Sequence, residues 1–137
     1  MPDRDHPAAH FDAVAASYAR HRPTYPEALF DWLAGDAPAR RLAWDCATGN
    51  GQAALPLAAR FDRVVATDLS AGQLAAAAAH PRVAYRVAPA EASGLPDESC
   101  DLVTVAQALH WLDPGAFGGE ATRVLVAGGV VAAWSYG

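Results

Sequence analysis

The sequence predicts a single α/β domain: a doubly wound, Rossmann-like parallel sheet of five strands in the order 3-2-1-4-5, preceded by two helices. Three observations predict it. From Leu42 onward, short β-branched runs alternate with Ala-rich helical windows, the signature of βαβ units. The five runs are mostly apolar, as parallel strands covered on both faces are. The chain has 137 residues, 53% apolar and 18% charged, so it can form one core that buries roughly two thirds of the unfolded surface.

The predicted strands are residues 42–46, 63–67, 82–87, 101–106 and 130–134. Between them, residues 52–60 read as helix. Ser70 with Gln73 forms a capping box that opens a helix over 71–79, and Asp113 followed by Pro114 opens another that runs to about Val126, before a Gly128-Gly129 turn. Ahead of the first strand lie two helical pieces. The first carries Phe11, Val14 and Tyr18 on one face; the second follows Thr24-Tyr25-Pro26-Glu27 and carries Leu29, Phe30, Trp32 and Leu33, with Pro23 and Pro26 separating the two. Residues 1–40 are expected to act as a helical lid within the one domain. Right-handed crossovers place the first and fourth strands side by side, and a ligand crevice opens where the chain jumps back.

Ten basic and fifteen acidic side chains give a net charge of −5, and Lys is absent, which argues against a nonspecific grip on nucleic acid. The polar start, with Asp3, Arg4 and Asp5, lacks the apolar stretch of a secretory signal. No window approaches the ~18 consecutive apolar residues of a spanning helix. A cytoplasmic protein without a membrane partner is expected. Cys46 and Cys100 are too few and too far apart for a metal site or a disulfide scaffold and read as buried thiols; no metal is expected.

At the carboxyl end of the first strand stands Trp44-Asp45-Cys46-Ala47-Thr48-Gly49-Asn50-Gly51-Gln52. Its glycines permit a sharp turn and a close approach of backbone to ligand. Gly49, Gly51 and Ala54 also satisfy the dinucleotide pattern, with Asp68 at the end of the second strand, so two cofactors compete here. Asp45 helps to decide. A carboxylate facing the loop repels a pyrophosphate but suits the ammonium and sulfonium of S-adenosylmethionine. Asp68 serves either cofactor, since it can accept both ribose hydroxyls. Its alternative role as a helix cap is already filled by Ser70, and the alternative for Asp45 is an ion pair with Arg41 or Arg86. Asp101, at the amino end of its strand, reads as structural.

The run Asp45-x-x-x-Gly49-Asn50-Gly51, then Ala66-Thr67-Asp68-Leu69-Ser70, then Ala90-Glu91 and Cys100-Asp101-Leu102-Val103, resembles the class I S-adenosylmethionine-dependent methyltransferases. Arg22-Pro23-Thr24-Tyr25-Pro26, Gln107-Ala108-Leu109-His110-Trp111 and Arg123-Val124-Leu125 with Gly128-Gly129 are similar to the small-molecule branch around trans-aconitate methyltransferase. The resemblance spans about residues 11–137. It implies S-adenosylmethionine as cofactor, with Asp45, Ala47, Gly49 and Gly51 around the methionine portion and Asp68 and Leu69 at the ribose. It also implies the Ala90-Glu91 turn at the adenine and Gln107 near the methyl-bearing end. Tyr18, Arg22 and Trp111 become lid or substrate residues and His110 the catalytic candidate.

Three departures from the family pattern stand out. Ala47 replaces the usual first glycine. Pro89 stands where many members place an Asp for the adenine amino group, leaving the Ala90 N–H and the Glu91 carboxylate for that task. The chain also stops just after the fifth strand, whereas the family sheet has seven. The fifth strand is then an apolar edge, for which self-association or poor solubility is expected; a longer gene product cut by truncation or frameshift is the other explanation.

Methyl transfer by in-line displacement depends mainly on positioning. A carboxylate acceptor needs orienting groups only, for which Arg20, Arg22, Tyr18 and His110 are candidates, whereas a hydroxyl or amine needs a base, for which His110 is suited. Two other readings are carried forward: a cofactor-binding fragment without activity, and a nicotinamide-dependent oxidoreductase.

Overall fold

A computed structural model describes residues 25–106 and 112–134. The elements follow as α1 (Glu27–Asp36), β1 (Leu42–Cys46), α2 (Ala54–Ala58), β2 (Arg63–Asp68), α3 (Ala71–Ala75), β3 (Val83–Val87), β4 (Cys100–Ala106), α4 (Pro114–Val124) and β5 (Leu125–Trp134). The strands form one sheet, parallel throughout, in the order β3-β2-β1-β4-β5. This is the predicted topology. The first predicted helical piece lies outside the described residues.

Side chains alternate across the strands and divide the core into two layers. On one side Ala43, Val64, Ala66 and Leu102 pack against Phe30 and Leu33 of α1, Leu57 of α2, and Phe61. On the other, Trp44, Val65, Val103 and Val105 meet Phe117, Ala121 and Val124 of α4, together with Leu95. The three inner strands are covered on both faces. The two edges are not, which corrects the expectation of five fully covered strands: Val87 on β3 and Val131 on β5 are largely exposed.

The ends of several elements also differ from the sequence reading. Helix α3 stops at Ala75 rather than 79, and the hydroxyl of Tyr85 donates to the Ala78 carbonyl at 2.8 Å, in a stretch where alanines offer little side chain to bury. Helix α2 is limited to five residues. Helix α4 ends at Val124, and the chain passes straight into β5, because Leu125 pairs with Cys100 before a register shift that takes in Gly128 at φ 80°. The expected turn is therefore an irregularity inside a longer strand.

The amino end of the sheet is tied by Asp101. Its buried carboxylate accepts the N–H groups of Arg41 and Leu42 and the Arg41 guanidinium at 2.9 Å. Burial alone would raise its pKa, but these donors prevail and hold it below the usual carboxylate value. Its structural reading stands. Cys46 and Cys100 are buried free thiols, both with pKa values raised, chiefly by burial.

Candidate functional site

Strand parity and register bring the acidic residues together. Asp45 stands opposite Thr104 across the β1–β4 pairing, at the jump in strand order, and Asp68 ends the neighbouring β2. Asp45 is 1% exposed. The hydroxyl of Thr48 donates to one of its oxygens at 2.5 Å and that of Thr104 to the other at 2.6 Å. The carboxylate is thus buried at the start of the loop and tied to it through Thr48. Arg41, weighed as its partner, pairs with Asp101 instead; the guanidinium of Arg86 lies near Gly94.

The loop after β1 turns through three left-handed residues: Ala47 at φ 54°, Gly49 at 60° and Gly51 at 86°. Gly51 also has no room for a side chain, since a Cβ there would stand 2.7 Å from the Tyr85 hydroxyl oxygen. Backbone bonds lash the loop to its neighbours, with the Thr48 N–H donating to the Thr67 carbonyl at 2.8 Å. Asp68, 7% exposed, completes the tie. One of its oxygens accepts the Gly49 N–H and the other the Ser70 N–H, each at 2.8 Å. As predicted, Ser70 caps α3 by accepting the Gln73 N–H. Asp68 thus ties the loop after β1 to the start of α3, besides any contact that it makes with a ligand.

Leu69, next to Asp68, is 54% exposed. Across the crevice the Ala90-Glu91 turn follows β3, with Ala90 buried and Glu91 exposed; the Ala88 N–H donates to the Asp68 carbonyl at 3.1 Å. The structure therefore brings Asp45, Ala47, Gly49, Gly51, Asp68, Leu69, Ala90 and Glu91 to the carboxyl ends of β1, β2 and β3. Tyr18, Arg22, Gln107, His110 and Trp111 lie outside the described residues.

Sequence reasoning left several participants without a role. Thr104 carries no motif signal, and its part follows only from the β1–β4 register; Thr48 reaches Asp45 from three residues further along the chain. Asn50 sits between two glycines, a position that could have drawn notice. It is 5% exposed, and both polar atoms of its amide are buried without a hydrogen-bond partner among the described residues. It also lines a hollow of about 620 Å³ with Gly51, Gln52, Leu55, Tyr25 and Glu27. Glu120 is another, its pKa held to about 2, first by Arg123 and then, against the opposing effect of burial, by Ser93.

These features fit an S-adenosyl ligand. The loop has left-handed glycines that turn it sharply at the strand end, an amide without a bonding partner among the described residues, a carboxylate at the end of β2 suited to a diol, and negative charge under the turn. The family comparison agrees: residues 44–133 match the Methyltransferase domain model. The chain belongs to this methyltransferase family. A protein of Dictyostelium discoideum named as a methyltransferase is 39% identical over 128 residues, covering 93% of this chain and 49% of that protein. Among solved structures, one from Anaeromyxobacter dehalogenans, named as a type II methyltransferase, superposes with a TM-score of 0.82 and 52% identity over 85% of this chain and 49% of that one. The complex of DhpI with S-adenosylhomocysteine superposes with a TM-score of 0.76 and 27% identity over 93% and 66%. The chain spans about half the length of the curated relatives it matches. Its fold is that of the S-adenosylmethionine-dependent methyltransferases, and S-adenosylmethionine is the cofactor of that fold; the nicotinamide alternative is set aside.

Proposed function

We propose that this chain binds S-adenosylmethionine and transfers its methyl group to a small-molecule acceptor, a carboxylate or a hydroxyl. The observation that carries the reading is the placement of Asp45 and Asp68 at adjoining strand ends, one beneath the glycine loop and one fastened to it. The cofactor, when bound, supplies an electrophilic methyl group on a positively charged sulfur.

The chain's own residues bind and orient. Gly49 and Gly51 let the backbone come close, and the negative charge of Asp45 favours a cationic guest over a diphosphate. Asp68, which already accepts the Gly49 and Ser70 N–H groups, is the acceptor for the ribose hydroxyls. The exposed face of Leu69 offers apolar contact at the nucleoside, and Ala90 with Glu91 faces the base. Rate comes mainly from alignment of acceptor, methyl and sulfur. A carboxylate acceptor needs no proton removed, and for a hydroxyl His110 is the proposed base.

The test is formation of S-adenosylhomocysteine when the chain is incubated with S-adenosylmethionine and a panel of small carboxylic acids and phenols. Acceptor-dependent product is expected. Cofactor binding without product across the panel would leave the chain a binding part of a larger enzyme.

A further inference from the structure

The segment that follows β3 is fixed from the other layer of the molecule. Glu120, in the middle of α4, is 8% exposed, and its Oε2 accepts both the backbone N–H of Ser93 at 2.8 Å and the Ser93 hydroxyl at 2.7 Å. Arg123, one turn later, grips the same carboxylate with Nε at 2.9 Å and Nη2 at 2.8 Å. It also reaches the Leu95 carbonyl at 2.7 Å and Asp97 at 2.6 Å. The Ser93 oxygen in turn accepts the Leu95 N–H at 3.1 Å. A buried charge this fully bonded defines one geometry for the chain that touches it.

What it touches is the continuation of the Ala90-Glu91 turn. The turn is closed upstream by the Ala92 N–H donating to the Pro89 carbonyl at 3.2 Å, and Ser93 is the next residue. Pro89 has no carboxylate with which to hold an adenine amino group, so discrimination there falls to the Ala90 N–H and the Glu91 carboxylate, whose places the position of the turn sets. We propose that Glu120 is a positioning residue for the base of the cofactor: through Ser93 it sets where the Ala90-Glu91 turn stands, and with it the selectivity for adenine. This rests on the S-adenosylmethionine reading above.

The experiment titrates the full 137-residue chain with S-adenosylhomocysteine and with S-inosylhomocysteine, in which an oxo group replaces the adenine amino group. The wild type should prefer the adenine ligand. In Glu120→Gln that preference should shrink at least fivefold, with the loss falling on S-adenosylhomocysteine. A role in stability alone would weaken both ligands equally and leave the ratio unchanged, and that result overturns the proposal. Ser93→Ala, which removes one of the two bonds to Glu120, should shrink the ratio two- to threefold and serves the same test if Glu120→Gln does not fold; there too, an unchanged ratio overturns the proposal. A wild type that binds neither ligand overturns the cofactor reading itself, and the inference with it.

Discussion

Ala47 holds a left-handed backbone, φ 54°, that costs an L-residue with a Cβ roughly 1–2 kcal/mol. It stands where the family pattern has glycine, and the sequence shows the substitution without showing that the conformation is kept. Ala47→Gly should raise stability by about 0.5–1 kcal/mol, the relief of strain exceeding the added freedom of the unfolded chain, as read from the midpoint of denaturant unfolding. Asp45 illustrates the opposite limit. Its place at the strand end is legible from the motif, but the bond from Thr104 is not, because it depends on which strand lies alongside. Asp45→Asn keeps a polar group between those hydroxyls and removes the charge. Affinity for S-adenosylmethionine should then fall roughly tenfold, about 1.4 kcal/mol, while affinity for the uncharged sulfur of S-adenosylhomocysteine falls less. Equal losses for the two ligands would show that the charge does not select the sulfonium.

Among the elements, strand positions were readable within a residue or two, except at β5, because each strand is a short, mostly apolar run bounded by turn residues. Helix lengths were not. Polyalanine after Gln73 has high intrinsic helix propensity, yet α3 ends at Ala75, where there is no apolar bulk to dock and where the Tyr85 hydroxyl takes a backbone carbonyl. The β5 limits were hidden for a related reason. A Gly-Gly pair signals a turn, but pairing of Leu125 with Cys100 extends the strand through it. The result is a ten-residue strand without a charged side chain, and among the described residues no strand pairs with its outer edge. Such an edge invites association. Val131→Lys, at a position 47% exposed, should reduce self-association of the chain in sedimentation velocity; an unchanged oligomer distribution would remove β5 as the contact.

For the molecule as a whole, the order of motifs along the chain was enough to read the topology, since alternating strands and helices with right-handed crossovers leave few sheets to choose from. The site is less legible, because it is assembled from contacts between distant segments: Thr104 reaching Asp45, Gly49 reaching Asp68, and Glu120 reaching Ser93. The first two hold carboxylates at the carboxyl edge of the parallel sheet, and the third fixes the segment that follows β3. The most direct test is calorimetric titration of the 137-residue chain with S-adenosylmethionine and, separately, with NADH. Saturable binding of the sulfonium ligand and no heat from the dinucleotide is the predicted result; binding of NADH with none of S-adenosylmethionine would contradict it.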